Sequence, residues 1–299
     1  MKKRIFYFNI NYACNNKCIF CYSHNTKHIE IPHNELRFSE FKKYINEKNV
    51  SFSDRLVLNG GEPLLHSEID KYLSFLSDKK YETVIFSNGR LAKKLDSRYL
   101  TDNIRFVIPI HGSEDIHDYI TGIKGSFQDT VSSMLWLTKN TNRCLVDMKI
   151  ILNEKNIENN ESFLKSLDEW NQVSFNNAVH ITMMADTKIS KANGCLSLDR
   201  SVVSNYTYKL LKNFMPQNMV KIYGTCIHSI GCLIEEQVKK YKHDLEFYYK
   251  DFSAEKIVKL KEPNFPCAND CIYRKYCKSE VTEYKVLEFK NNKIYESVE

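Results

Sequence analysis

Short apolar runs alternate with amphipathic stretches along the N-terminal part of the chain. The apolar runs are typical of buried strands, and the stretches between them repeat apolar residues at helical spacing. The predicted strands are residues 5–10, 55–58, 84–86, 104–110, 145–152 and 179–183. Six strands, each followed by a helical pattern, indicate parallel βα units with right-handed crossovers. This pattern alone does not distinguish a doubly wound sheet from a barrel.

Serines mark the starts of three predicted helices. Ser39, Ser67 and Ser126 each precede a run of apolar residues at helical spacing. A serine hydroxyl can accept a hydrogen bond from the free N–H groups of the first helical turn. We therefore expect these three side chains to cap their helices.

A cluster of cysteines follows the first predicted strand. Cys14, Cys18 and Cys21 form a C-x3-C-x2-C pattern, with the aromatic Phe20 between the last two. Three thiolates this close together can bind one face of a cubane iron–sulfur cluster and leave the fourth iron open to a small chelating molecule. The alternative is a structural zinc site, which needs four closed ligands and would take His24 as the fourth.

Two polar turns follow the second and third predicted strands. The first, Asn59-Gly60-Gly61-Glu62-Pro63, has two glycines that allow a ligand to approach bare backbone, and a carboxylate that could pair with an ammonium group. The second turn is Ser87-Asn88-Gly89. In βα folds the chemistry gathers at the C-terminal ends of the strands. Both turns are therefore expected at the same rim as the cysteines.

These motifs resemble those of the radical S-adenosylmethionine (SAM) superfamily over roughly residues 4–185. The resemblance implies an α/β fold, namely a partial (βα)6 barrel with a small cysteine-rich C-terminal subdomain. It also implies that Cys14, Cys18 and Cys21 bind a [4Fe-4S] cluster whose open iron is chelated by SAM. The residues expected to line the cofactor site are Phe20, Gly60, Gly61, Glu62, Pro63, Ser87 and Asn88.

The chain departs from this family's pattern at the fourth strand. Many relatives have a serine and an aspartate there, whereas this chain has Pro109 and His111. His111 is either a cavity residue near SAM or a hydrogen-bonded structural residue. Residues 117–127 resemble a stretch common in radical SAM maturases of peptides and proteins. Asn153 and Asn156, after the fifth strand, could reach a ribose or carboxylate, or could be ordinary loop residues.

The C-terminal part of the chain contains five further cysteines. They are Cys226, Cys232, Cys267, Cys271 and Cys277. The last three resemble a trimmed SPASM or twitch extension, a region that holds auxiliary iron–sulfur clusters, although their C-x3-C spacing differs from the usual C-x2-C. We expect one auxiliary cluster, with zinc or free thiols as the alternatives. The expected domains are residues 1–215, the core, and 216–299, the cysteine-rich extension.

Two other cysteines lie between these groups. Cys144 is expected within the fifth strand, and Cys195 follows a glycine in a loop. Such cysteines are usually packed thiols. A thiol facing the cavity could instead donate a hydrogen atom to a substrate radical, as in the peptide epimerases of the superfamily. Cys195 is the candidate donor, because loops carry function more often than strands.

The resemblance implies reductive cleavage of SAM to a 5′-deoxyadenosyl radical, which removes a hydrogen atom from the substrate. The cysteine-rich extension and residues 117–127 favour a peptide or protein substrate and an oxidative modification such as a crosslink. Against a peptide, the first strand begins at residue 4 and leaves no N-terminal recognition domain. The alternative is an epimerase or rearrangement enzyme that acts on a metabolite such as a sugar or nucleoside. A remote alternative is a non-catalytic zinc-binding protein.

Composition and charge narrow the expected partners. The net charge of +6 is modest for 299 residues and its lysines are scattered, so we expect no nucleic acid. No apolar run approaches the ~20 residues of a membrane span, and no secretory leader precedes the first strand. The ten cysteines are therefore expected to be reduced or metal-bound in the cytoplasm. Reductive chemistry implies a flavodoxin- or ferredoxin-type electron donor.

Overall fold

The computed structural model describes part of the chain. The described residues are 4–21, 35–141, 144–157, 179–183, 188–195, 220–223, 246–250, 255–259, 286–290 and 293–297. For residues 188–189 and for the strands from residue 179 onward, only the backbone is described. Within these residues, no helix has both the length and the apolar character needed to cross a membrane.

The described chain contains eleven strands and six α-helices. The strands are β1 (Arg4–Asn11), β2 (Arg55–Gly60), β3 (Glu82–Phe86), β4 (Ile104–Pro109), β5 (Leu145–Leu152), β6 (Val179–Met183), β7 (Val220–Tyr223), β8 (Glu246–Lys250), β9 (Glu255–Lys259), β10 (Val286–Lys290) and β11 (Lys293–Ser297). The helices are α1 (Phe38–Glu47), α2 (Ile69–Asp78), α3 (Glu114–Thr121), α4 (Ser126–Asn140), α5 (Glu154–Ile157) and α6 (Lys188–Ala192).

All the strands belong to one sheet, in the order β11-β10-β9-β8-β1-β2-β3-β4-β5-β6-β7. Strands β1 to β6 pair in parallel in chain order, which confirms the predicted α/β fold. Strand β8 adds to the free side of β1 in parallel, and β8 to β11 then pair antiparallel. The predicted boundary between residues 215 and 216 stays a prediction.

One predicted helix is replaced by two short 3₁₀ turns. Between β3 and β4 the chain forms turns at Ala92–Lys94 and Ser97–Tyr99. The side chain of Asp96 accepts a hydrogen bond from the Arg98 N–H at 3.0 Å. Aspartate bonds of this kind favour a turn over a continuing helix.

The sheet has two different faces. Alternate residues of β1 to β5 pack against the helices, as where the Phe8 and Phe41 rings meet edge to face at 4.7 Å between centroids. The opposite face, which we call the inner face, has a small apolar core formed by Ile5, Val57, Val84 and Val107. Most of the buried apolar surface therefore lies on the helix side, and the inner face keeps room for polar residues.

The prediction that Ser39 and Ser67 cap their helices was wrong. Helix α1 begins at Phe38, whose N–H donates to Oε2 of Glu68 at 2.9 Å. The backbone N–H of Ser67 donates to Oε1 of Glu35 at 3.0 Å, and α2 has no side-chain cap. Carboxylates that are distant in sequence therefore satisfy groups that local reasoning assigned to serine.

The expected cap by the Ser126 side chain was wrong as well, because helix α4 is capped from a distance. It begins at Ser126 after Gly125, which has a φ of 82°. Oδ1 of Asp118, in α3, accepts hydrogen bonds from the Phe127 N–H at 2.8 Å and from the Ser126 hydroxyl at 2.9 Å. A carboxylate at a helix N-terminus also favours the helix dipole. Asp118 thus joins α3 to α4 after β4.

Candidate active site

The predicted iron ligands lie in a loop that is attached to helix α3. We call residues 12–21 the cysteine loop. Its backbone N–H groups at Lys17 and Ile19 donate to the carbonyls of Thr121 and Ile120 at 2.8 and 2.9 Å. All three cysteines are free thiols, with Cys14 exposed and the other two half-buried. The loop is thus held by backbone hydrogen bonds that do not involve its sulfur atoms.

The glycine-rich turn after β2 lies directly against the start of the cysteine loop. The N–H of Gly61 donates to the Asn11 carbonyl at 3.0 Å, and that of Glu62 donates to the Ala13 carbonyl at 2.7 Å. A Cβ atom added to Gly60 would lie 2.1 Å from the Asn11 oxygen, and one added to Gly61 would lie 2.3 Å from the Ala13 oxygen. Both glycines are therefore required because the chain's own backbone, as well as any ligand, approaches them closely.

The Glu62 carboxylate joins the two predicted turns. It is fully buried and accepts hydrogen bonds from the Leu64 N–H at 3.0 Å, the Ser87 hydroxyl at 2.7 Å and the Asn88 N–H at 2.7 Å. Burial raises the pKa of Glu62 to about 7, although these donors act in the opposite direction. The donors are all neutral, so the carboxylate is well placed to interact with a cation.

The turn after β3, Ser87-Asn88-Gly89, is also bonded to the cysteine loop. The Asn88 side-chain amide donates to Oδ1 of Asn15 at 2.6 Å. Nη1 of Arg90 donates to the Asn15 carbonyl at 2.8 Å and to Oδ1 of Asn16 at 3.1 Å, while Nη2 forms an ion pair with Asp129 at 3.0 Å. Sequence reasoning missed Arg90, and its only local signal was its position directly after Ser87-Asn88-Gly89.

The cysteine loop is the candidate site for a cubane cluster. The Asn16 N–H donates to Sγ of Cys14 at 3.4 Å, and the Asn88 amide nitrogen lies 4.0 Å from the same sulfur. Desolvation raises the pKa of the Cys14 thiol to about 11 and also raises that of Cys18, so iron must displace their protons. No three metal-ligating side chains of the described residues converge on one point. A cubane cluster does not need this, because each thiolate binds a different iron.

Two stacked histidines follow β4, and one of them contacts the cysteine loop. The backbone N–H of His111 donates to Nδ1 of His117 at 3.2 Å. The rings of His111 and Phe20 meet edge to face, with 5.2 Å between their centroids. Among the described residues, Nδ1 of His111 and Nε2 of His117 are buried without hydrogen-bond partners. Burial lowers the pKa of His111 well below its usual value and that of His117 to about 4, so both rings are neutral at pH 7.

The two asparagines after β5 bond within their own loop. Oδ1 of Asn156 accepts from the Asn153 N–H at 2.9 Å, and Oδ1 of Asn153 accepts from the Lys155 N–H at 3.0 Å. Both side chains also donate to the Ile151 carbonyl. This geometry agrees with the structural alternative for these residues.

Three kinds of predicted residue remain: Cys195, which is buried beside the cysteine loop, Cys144, which is buried at the start of β5, and those outside the described part of the chain. Cys195 is buried in an apolar cluster with Phe20 and Ile120, and the Cys144 thiol, also buried, donates to the Ile104 carbonyl at 3.4 Å. The role of Cys195 as a hydrogen-atom donor stays a prediction. The residues outside the described part of the chain are His24, Cys226, Cys232, Cys267, Cys271 and Cys277.

The sequence of this chain is similar to those of a synthase and of a maturation protein. The chain is 24% identical over 234 residues to the Fe-coproporphyrin III synthase of Methanosarcina barkeri, covering 75% of this chain and 57% of that relative. It is 28% identical over 149 residues to the sporulation killing factor maturation protein SkfB of Bacillus subtilis, covering 49% of this chain and 35% of that relative. The chain thus spans only part of the length of these relatives.

Solved structures share the fold. The crystal structure of Streptococcus suis SuiB bound to S-adenosylmethionine superposes with a TM-score of 0.64 at 13% identity, over 83% of this chain and 58% of that one. The family model of the radical SAM superfamily matches residues 8–168. Since these residues make up more than half of the chain, the protein belongs to the radical SAM superfamily and is an enzyme of that class, with a [4Fe-4S] cluster and SAM as its cofactors.

Proposed function

We propose that Cys14, Cys18 and Cys21 hold the [4Fe-4S] cluster and that the turns after β2 and β3 line the SAM site. The observation that carries this proposal is the set of backbone hydrogen bonds from Gly61 and Glu62 to the start of the cysteine loop. When both cofactors are bound, they supply a 5′-deoxyadenosyl radical that removes a hydrogen atom from the substrate. The protein's part is to bind and orient the cofactors and to exclude water.

The residues of the two turns have distinct parts in this proposal. Gly60 and Gly61 keep the turn close to the cysteine loop, and Glu62 presents a buried carboxylate to the ammonium group of SAM. Pro63, Ser87 and Asn88 support that carboxylate, since Pro63 starts the 3₁₀ turn that Glu62 caps and the other two donate to it. Phe20 of the cysteine loop packs against His111. A carboxylate held by three donors needs little reorganisation when a cation binds.

For the substrate, we propose a peptide or protein. The name of the similar SkfB protein, a maturation protein, supports this proposal, as does the resemblance of residues 117–127 to peptide and protein maturases. A small metabolite is the second candidate, because the Fe-coproporphyrin III synthase is similar over a larger share of this chain than SkfB is. The electron donor is expected to be a flavodoxin or ferredoxin.

An auxiliary cluster in the C-terminal extension remains part of the proposal. Its ligands would come from Cys226, Cys232, Cys267, Cys271 and Cys277. Such a cluster could accept an electron from a substrate radical and so favour an oxidised product. The iron content of variants tests this directly.

Iron quantification and SAM cleavage together test the cofactor proposal. The anaerobic Cys14→Ala/Cys18→Ala/Cys21→Ala variant is expected to lose about four irons per chain, the content of one cubane cluster, and all formation of 5′-deoxyadenosine. The Cys144→Ala variant is the control, because that thiol is buried elsewhere and should leave both measurements unchanged. Unchanged iron and SAM cleavage in the triple variant would refute the assignment. About four irons remaining in that variant would support the auxiliary cluster.

The substrate proposal is tested by the coupling of SAM cleavage to added substrates. We expect peptides encoded beside the gene to increase 5′-deoxyadenosine formation above the uncoupled rate and to change in mass. Sugars and nucleosides are the comparison compounds. Stimulation by one of these compounds alone would favour the metabolite candidate instead.

A further inference from the structure

Lys149 is a cation on the inner face of the sheet. Its neighbours on β5, Met148 and Ile150, pack in the core on the helix side. The side chain of Lys149 therefore projects from the inner face. Its Nζ lies 5.0 Å from the centroid of the Phe86 ring on β3. Among the described residues, no carboxylate, hydroxyl or carbonyl lies within hydrogen-bond distance of this ammonium group.

Arg105 offers a comparison on the same face. Its Nη1 lies 2.5 Å from Oδ1 of Asp147, which is fully buried two residues before Lys149 on β5. The charge of Arg105 is therefore neutralised within the protein. Among the described residues, the ammonium group of Lys149 lies over the Phe86 ring and forms no ion pair. A cation–π contact is weaker than the ion pair that compensates a buried charge. One positive charge thus remains uncompensated on this face within the described residues.

This charge lies at the level of the active-site rim. Lys149 is the register partner of Pro109, the last residue of β4, and His111 follows two residues later. Burial lowers the pKa of Lys149, which is the expected response of an ammonium group without a counter-ion. The neighbouring His111 ring is neutral and cannot supply the missing negative charge.

A second polar group on this face also lacks a partner. Asn59 follows Leu58, which pairs with Ile85, so Asn59 comes beside Phe86 in the register of β2 and β3. Its half-buried side chain makes no hydrogen bond to any residue of the described chain. An amide and an ammonium group on either side of one aromatic ring could together bind a polar, anionic group.

We propose that Lys149 binds a carboxylate group of the substrate, with Phe86 and Asn59 beside it. The proposal rests on the proposed function, because it places the substrate at the inner face next to the SAM site. A carboxylate matches the single uncompensated charge. A phosphate monoester, which carries up to two negative charges at neutral pH, usually calls for more cations than this site offers. Peptides provide such carboxylates at their C-termini and in acidic side chains.

The test uses propionate as the probe and propionamide as its neutral match, at constant ionic strength. In the cluster-loaded enzyme, with and without SAM, propionate at about 0.1 M is expected to raise the thermal midpoint about 2 °C more than propionamide does. This difference should persist in Lys149→Arg, which keeps the charge, and in Lys139→Met, which removes an exposed lysine. It should vanish in Lys149→Met. No difference in the wild type, or the same difference in Lys149→Met, would overturn the proposal.

Two further measurements separate other sources of the anion. The SAM affinity of Lys149→Met should lie within about twofold of the wild type. A loss above about tenfold (1.4 kcal/mol) that decarboxylated SAM does not show would assign Lys149 to the SAM carboxylate and overturn the proposal. A midpoint shift with inorganic phosphate but not with propionate would also overturn it. A wild type that does not bind SAM contradicts the proposed function, and the measurements without SAM still decide the proposal for Lys149.

Discussion

The two halves of the active-site rim differ in how their polar groups are satisfied. At the ends of β1 to β3, Glu62, Asn88 and Arg90 form hydrogen bonds that join the cysteine loop to the two turns. At the ends of β4 and β5, among the described residues, His111 and Lys149 have buried or half-buried polar atoms without hydrogen-bond partners. The first half is thus joined by side-chain hydrogen bonds, although Oδ1 of Asn11 on β1 and the side chain of Asn59 on β2 also lack partners among the described residues. The second half has no such network of side-chain bonds at His111 and Lys149 within the described chain.

This difference separates a preorganised site from an open one. A ligand that is the same in every turnover, such as a cofactor, benefits from donors and acceptors that are fixed before it binds. Groups that lack protein partners carry an energetic cost, which a ligand can remove when it binds. The comparison is therefore consistent with the proposal that the turns after β2 and β3 hold the cofactors and that Lys149 on β5 binds the substrate.

The largest expected effect is at Gly61. In Gly61→Ala the new Cβ would lie 2.3 Å from the Ala13 carbonyl oxygen, so the cysteine loop must move away. We expect the free energy of unfolding to fall by about 3 kcal/mol and iron retention to fall with it. Urea unfolding and iron quantification measure both quantities.

Gly125→Ala is the matched control for this variant. Gly125 has a φ of 82° but open space around its Cα, so alanine there meets only backbone strain of about 1 kcal/mol. Iron retention should stay at the wild-type level. If the two variants lost equal stability and iron, the close approach of backbone at Gly61 would not explain how the cysteine loop is held at the ends of β1 to β3.

The next effect is a pH dependence that comes from Glu62. Burial raises the pKa of this carboxyl to about 7 in the folded chain, above its ordinary 4.5. The folded state therefore binds the proton more tightly than the unfolded state. The contribution of the protonated Glu62 carboxyl to the free energy of unfolding is therefore present at low pH and is lost as the pH rises through about 7. Between about pH 5 and pH 8, the wild type should lose about 2 kcal/mol relative to Glu62→Gln without SAM.

Glu82→Gln is the control for this pH dependence. Glu82 forms a partly exposed ion pair with Arg55 on neighbouring strands, and exposed ion pairs contribute little to stability. Its denaturation curves should follow the wild type across the pH range. Parallel curves for the wild type and Glu62→Gln would show that the carboxyl group has an ordinary pKa, and would weaken the case that it awaits a cation.

The smallest expected effect is at His111, in the open half of the rim. Because Nδ1 of His111 has no partner among the described residues, His111→Phe should change the free energy of unfolding by no more than about 0.5 kcal/mol. His66→Phe is the comparison, since both ring nitrogens of His66 are hydrogen-bonded, to the Leu36 carbonyl and to the Glu68 N–H. It should cost about 2 kcal/mol in the same denaturation experiment. Equal costs would mean that the two halves do not differ in this way.

The sequence predicted the elements better than their ends. The strands at 145–152 and 179–183 have the predicted bounds, because their β-branched and apolar runs are local signals. The helix caps at Ser39 and Ser67 were wrong, since Glu68 and Glu35 compete for the same positions from other parts of the chain. The helix expected after β3 is two short turns, in part because Asp96 stabilises the second of them.

By itself, the sequence determined the parallel βα order, the cysteine motif and the glycine-rich turn, because each depends on residues that are neighbours along the chain. Only the tertiary structure decided how these parts meet. Glu62 bonds to Asn88, which lies 26 residues away, and Arg90 bonds to Asn15, which lies 75 residues away. It also decided that Arg105 is neutralised and Lys149 is not, although both are basic residues on one face. Whether a buried group is satisfied depends on what folding brings beside it, and no local pattern contains that information.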